Sequence, residues 1–152
     1  MAATADHLTL EEQICFALYS ASRALTSRYR ELLEPLALTY PQYLALLVLW
    51  ETGGSTVSGL GERLHLDSGT LSPLLRRLEQ GGLVERNRQP QDERVVMVTL
   101  TAAGRELRAR AASIPAAICA STGLSLTDLG ELRDQVFEVA SAARVSQHPH
   151  VA

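Results

Sequence analysis

The chain has no lysine: all 14 basic side chains among its 152 residues are arginine, against 17 acidic ones, for a net charge of −3. A uniformly basic surface is therefore excluded. Arginine is the side chain that pairs bidentately with phosphate and guanine, although genomic composition produces the same bias. Cysteine is almost as scarce, with only Cys15 and Cys119, more than one hundred residues apart. Their spacing excludes a C-x-x-C redox motif and a cysteine-based zinc cluster. His148 and His150 stand in a polar tail and read as chain end, not as metal ligands, so neither metal nor cofactor is expected. No run approaches the roughly 18 apolar residues of a membrane span. The N-terminus lacks the basic-then-apolar pattern of an export signal, which places the expected site of action in the cytoplasm. There is no repeat and no low-complexity linker. The length suits one domain, or one protomer of a compact dimer.

The charge that is present is unevenly spread. Residues 1–60 hold three Arg against six acids, residues 61–110 nine against seven, and residues 111–152 two against four. Only the middle third is net positive, as a local nucleic-acid footprint inside an acidic protein would be. At its N-terminal edge, Val57, Leu60, Leu64 and Leu66 share one side of a short helix that ends in a turn. Asp67 then occupies an N-cap position. Leu71, Leu74, Leu75 and Leu78 recur at three and four residues and face inward, leaving Ser68, Thr70, Ser72, Arg76 and Arg77 on other faces. The small hydroxyl residues at such a helix start can approach base edges, and the arginines can pair with phosphates. Gly81-Gly82 stops the helix. Leu83–Asn87 and Val95–Leu100 then read as two strands around a seven-residue loop, 88–94. Arg86, Arg88 and Arg94 either reach DNA from this hairpin, the tip entering a minor groove, or keep an exposed edge soluble.

The flanks are helical. Thr9 with Glu12 forms a capping box for a long helix through Ile14, Leu18, Ala21, Leu25 and Leu32, stopping near Pro35. Pro41 starts a second helix, apolar on nearly all sides and so the expected buried centre, which Gly53-Gly54 ends. Thr101 caps a helix that Pro115 kinks or interrupts, and Ser125 with Asp128 starts the last one. The organisation is mostly α with a small β-wing: a winged helix-turn-helix at 55–100 between helical regions at 1–54 and 101–152. The apolar faces of the terminal helices are most simply covered by a second copy.

Four segments carry a family resemblance over almost the whole length: Leu38-Thr39-Tyr40-Pro41-Gln42-Tyr43-Leu44, Leu66-Asp67-Ser68-Gly69-Thr70-Leu71, Asp92-Glu93-Arg94 in the wing, and Cys15 with Tyr29 in the first helix. The chain resembles the MarR family of winged-helix repressors, within it the organic hydroperoxide sensor branch, OhrR. The resemblance implies a homodimer on a pseudo-palindromic DNA operator, with an organic hydroperoxide as inducer. It implies base and backbone contacts from Ser68, Gly69, Thr70, Ser72 and Arg76 or Arg77, a minor-groove Arg94, and an Asp92 that orients the wing arginine. It also implies that Cys15 is oxidised to a sulfenic acid and then a disulfide. By neighbourhood alone Cys15 is an apolar helix residue. Tyr19, four positions on, shares its helix face, whereas Tyr29 is about 21 Å along the helix, so a contact between Cys15 and Tyr29 requires the other subunit. Tyr40 is the other phenol the branch places at that site. Cys119 resembles the resolving cysteine of two-cysteine members, which implies an intersubunit disulfide with Cys15, with an external thiol or an intrachain bridge as the other routes. A MarR-type repressor released by a small aromatic or phenolic ligand, and a cysteine peroxidase, are the competing readings. The chain lacks the proline- and threonine-flanked cysteine that peroxidases of this kind use, so no enzyme is expected.

Overall fold

A computed structural model describes residues 8–146; His148 and His150 lie outside them. The chain divides into two compact units, Met1–Ile114 and Pro115–Ala152. In the first, a 3-10 turn at Leu10–Glu12 leads into α1 (Ile14–Leu33), and a second turn at Glu34–Leu36 leads to α2 (Tyr40–Thr52). Then follow β1 (Gly54–Thr56), α3 (Val57–Leu64), α4 (Ser68–Gln80), β2 (Val84–Gln89), β3 (Asp92–Leu100) and α5 (Ala102–Ala111). The second unit carries α6, which begins at Ile114 and runs to Thr122, and α7 (Leu126–Ser146). No single helix among the described residues is long and apolar enough to cross a membrane.

α2 is the centre of the first unit. Thr39 caps it with a full capping box: Thr39 Oγ1 accepts from Gln42 N, and Gln42 Oε1 accepts from Thr39 N. Both donors would otherwise be orphaned at the helix start. Leu46 and Leu49 of α2 are fully buried, together with Leu60 of α3, Leu75 of α4 and Val98 of β3. The face predicted from Leu71, Leu74, Leu75 and Leu78 is buried throughout. Trp50, on α2, donates from Nε1 to the Gly104 carbonyl at 2.8 Å and so ties α2 to α5. α5 approaches closely there, because a Cβ on Gly104 would stand 2.0 Å from the Leu83 carbonyl oxygen.

Several boundaries differ from expectation. Thr9 does not cap α1; it precedes the 3-10 turn, and Gln13 occupies the cap position with no side-chain cap bond. Its amide instead donates to the Thr9 carbonyl. Of the two glycines after α4, only Gly82 is left-handed, at φ 70°. α3 stops at Leu64, with His65 left-handed, so Leu66 lies beyond the helix. A helix ends at Ala111, before Pro115, which sits in the first turn of the next helix, where its missing N–H costs nothing.

The hairpin is longer and its loop shorter than the seven residues expected. β2 and β3 pair antiparallel to Gln89↔Asp92, leaving Pro90 and Gln91 as the turn. Ladder pairing satisfies the backbone of charged residues as well as apolar ones, and a solvent-facing wing tolerates their side chains. The register shifts at the tip: Arg88 pairs with Val96 but Gln89 with Asp92, so Glu93, Arg94 and Val95 bulge from β3. β1, absent from the sequence reading, pairs with the other edge of β3 and completes a sheet of order β1-β3-β2. Three residues are too few to show alternation.

Candidate nucleic-acid interface and thiol site

α4 begins at a tightly built cap. Asp67 Oδ1 accepts from Thr70 N at 2.8 Å, and Asp67 Oδ2 accepts from Thr70 Oγ1 at 3.1 Å. These two bonds hold the exposed carboxyl below the usual carboxylate range. Ser68, Gly69, Thr70, Ser72, Arg76 and Arg77 are all exposed, opposite the buried leucine face. Pro73 sits inside this helix and offers no N–H to the Gly69 carbonyl four residues back. An open groove of about 790 Å³ runs between α3, α4 and the wing, with Thr56, Ser58, Ser68, Ser72 and Arg94 on its walls.

The wing arginines have three different settings. Arg86 is half-buried and held by Glu79 at the end of α4: Nε and Nη2 donate to Oε2 at 3.0 and 2.6 Å, and Arg86 N donates to Oε1 at 3.3 Å. The bonds from Arg86 and its charge pull the Glu79 carboxyl below its ordinary range. Arg86 therefore fastens β2 to α4 within the protein. Arg88 reaches the Glu93 carbonyl at 3.4 Å. Arg94, on the bulge, has 92% of its side chain exposed, and Asp92 Oδ1 accepts from both its backbone N (3.0 Å) and its Nε (3.3 Å). Asp92 thus aims a guanidinium that is otherwise open to solvent.

Cys15 is exposed and is the second residue of α1. Tyr19 is exposed on the same face, with the Arg23 guanidinium 5.5 Å above its ring. α1 runs unbroken to Leu33, so Tyr29 is about 21 Å from Cys15 along it. Tyr29 instead packs against Tyr40, ring centroids 4.4 Å apart, and against Tyr43 at 5.8 Å. Burial first, then the neighbouring phenols, push Tyr29 up to about 12. Burial also raises Tyr40 and Tyr43. The cluster therefore stays protonated and keeps its O–H donors. The structure brings Tyr29 and Tyr40 together and leaves Cys15 of the same chain at the far end of the helix. Cys119, on α6, is half-buried, with Sγ 4.0 Å from the Leu124 carbonyl. Among the described residues no group of His, Cys, Asp and Glu could hold a metal ion.

Sequence reasoning missed Tyr43, Glu79 and Pro73. Tyr43 lies three residues after Tyr40, a same-face spacing that marks it as a neighbour. No local spacing links Glu79 to Arg86, because the contact passes from a helix to a strand.

The MarR family pattern matches residues 38–96. The organic hydroperoxide resistance transcriptional regulator of Bacillus subtilis is 48% identical over 132 residues, 87% of this chain and 90% of that protein. Reduced AbfR bound to DNA superposes with a TM-score of 0.79 at 35% identity, covering 91% of this chain and 95% of that one. Disulfide-formed AbfR superposes at 0.63 and 36%, covering 86% and 92%. With the three-stranded wing packed on a capped α4, these similarities are those of transcriptional regulators and not of enzymes, and the chain belongs to the MarR family of winged-helix regulators.

Proposed function

We propose that the protein is a homodimeric repressor that holds pseudo-palindromic operator DNA while Cys15 is reduced and releases it when an organic hydroperoxide oxidises that thiol. The carrying observation is the separation along α1 of an exposed sulfur from a cluster of phenols kept protonated. Two copies of α1 paired antiparallel about a two-fold axis would set each Cys15 beside the Tyr29 and Tyr40 of the other copy. The exposed apolar residues Ile14 and Phe16 on α1 favour such cover. Phenol O–H groups donating to sulfur would stabilise a thiolate and be lost from it on oxidation.

The chemistry is a two-electron transfer. The thiolate sulfur attacks a peroxide oxygen, the O–O bond breaks, and the alkoxide leaves and takes a proton as the alcohol. Cys15 is left as a sulfenic acid. A second thiol then attacks that sulfur, expelling water and forming a disulfide. Cys119 is the partner supplied by this chain, and a disulfide-formed state of AbfR supports a bridge as the end point. In the reduced state α4 would enter the major groove and Arg94, aimed by Asp92, the minor groove. Operator half-sites would lie about one helical turn apart.

Fluorescence anisotropy on DNA from the protein's own promoter region tests this. Binding should be lost after a stoichiometric pulse of organic hydroperoxide and restored by reductant, and Cys15→Ser should bind DNA but ignore peroxide. Release of DNA by the serine variant on oxidation would sink the sensor assignment. On non-reducing electrophoresis the oxidised protein should run as a covalent dimer that reductant reverses, and a persistent monomer band would exclude an intersubunit Cys15–Cys119 bridge. The second reading is release by a small aromatic acid or phenol held in a pocket between the dimer helices and the wing domain. Binding that ignores peroxide but responds to such an acid would favour it.

A further inference from the structure

The cap that starts α4 also decides what one of its exposed side chains can say to DNA. A hydroxyl has one proton to give and lone pairs to receive with, whereas an ionised carboxylate only accepts. Between Thr70 Oγ1 and Asp67 Oδ2, 3.1 Å apart, the proton must therefore come from threonine. The other carboxylate oxygen is occupied by the Thr70 backbone N–H at 2.8 Å, so Thr70 and its cap lock one another in place. Thr70 is exposed in the first turn of the helix, on the side away from the buried leucines.

We infer that Thr70 reads an exocyclic amino group, adenine N6 or cytosine N4, in the major groove, because Asp67 consumes its only hydroxyl proton and leaves an acceptor facing the bases. The inference rests on the reading of α4 as the DNA-entering helix and adds to it a sign for one contact. In the major groove amino groups donate, whereas guanine O6, thymine O4 and the purine N7 atoms accept. An oxygen whose proton points back to a carboxylate meets the first kind with a hydrogen bond and the second with lone pair against lone pair. Donating to an anion also makes the hydroxyl oxygen a better acceptor. Ser68 and Ser72 differ: their hydroxyls make no hydrogen bond within the described residues and can turn to donate or accept. Thr70 is the one hydroxyl of the three whose polarity is set before DNA arrives.

The test starts from a randomised duplex DNA library, from which the reduced wild-type protein selects a site. Thr70→Val keeps both branches of the side chain and the cap bond to its backbone N–H, and removes the hydroxyl, both the acceptor and its bond to Asp67 Oδ2, so it identifies the base pair Thr70 touches. At that base pair single functional groups are then deleted: the exocyclic amino group, by purine in place of adenine or 2-pyrimidinone in place of cytosine, and separately the ring acceptor, by a 7-deaza purine. Loss of the amino group should weaken wild-type binding roughly fivefold to tenfold, the worth of one neutral hydrogen bond, and leave Thr70→Val unchanged. Thr70→Ser, which keeps the hydroxyl, should restore the coupling to the amino group that Thr70→Val loses. Asp67→Asn, still a good cap, lets the amide donate to the hydroxyl and should abolish the coupling to the amino group. Coupling of Thr70→Val to the ring acceptor instead, or an equal loss of affinity on every sequence, would overturn the inference while leaving α4 as a DNA-binding helix. Failure of the wild-type protein to enrich any sequence would overturn the DNA-reading assignment itself. Thermal melting of each variant separates loss of contact from loss of fold.

Discussion

The 13 residues of α2 bury six side chains, whereas the 20 residues of α1 bury one, Leu33. α2 is capped at both ends, by the Thr39–Gln42 box and the left-handed Gly53, while α1 starts from Gln13 with no side-chain cap bond and shows Ile14, Phe16 and Tyr19 at its surface. A helix apolar on nearly all sides draws its stability from the protomer around it. One with a single buried residue and a row of exposed apolar ones must draw it from elsewhere. The difference separates a core helix covered within one chain from a thiol-bearing helix whose proposed partners lie in a second copy.

Substitutions in the two regions should diverge, most of all where α5 crosses beneath the wing. Gly104→Ala drives a Cβ to within 2.0 Å of the Leu83 carbonyl, a clash with backbone that no rotamer relieves. We expect about 3 kcal/mol or more of lost stability in denaturant unfolding; an unchanged midpoint would show that α5 can slide. Leu46→Ala, at a fully buried site in α2, should cost about 3 kcal/mol at any protein concentration. Phe16→Ala sharpens the contrast: its cost should grow with protein concentration, since in the proposed dimer the side chain gains cover only on association. Equal behaviour of the two variants would erase the distinction between α1 and α2.

Smaller effects probe the polar groups. Tyr29→Phe should slow peroxide oxidation of Cys15 about tenfold, the worth of one hydrogen bond to a charged group, with reduced-state DNA affinity unchanged. The same variant has an alkaline signature. The unfolded chain ionises this phenol near 10 and the native one near 12, so its contribution is intact below pH 10 and is lost as pH rises toward 12. Removing the phenol should flatten that part of the stability profile. Least of all, Glu79→Gln loosens β2 from α4. Because the native Glu79 carboxyl is held below its ordinary range by Arg86, its contribution is present above that range and fades as pH falls through the lowered value. The Tm difference between wild type and variant should therefore exist at neutral pH and vanish in acid.

How much was legible follows from the range of each interaction. The leucine spacing in α4, the Asp67 cap and the Ser125–Asp128 start of α7 are local periodicities and local bonds, and each appears as read. β1 was invisible because its pairing partner, β3, lies more than forty residues downstream. The tip reads as a loop because its composition is polar, although the ladder bonds continue to Gln89 and Asp92. Charge alone groups Arg86 with the DNA-facing arginines, and only its distance from Glu79 shows that the protein already holds it.

The amino-acid sequence by itself determined the helix-turn-helix and its wing, the family, the two widely separated cysteines and the absence of lysine, because periodicity, caps and composition act within a few residues. Tertiary structure alone decided which arginine is held inward and which projects, that three tyrosines from two helices share one raised-pKa cluster, and that the Thr70 hydroxyl proton is given to Asp67. Hydrogen bonds and burial depend on where atoms meet in space, and the spacing of residues along a chain does not specify that.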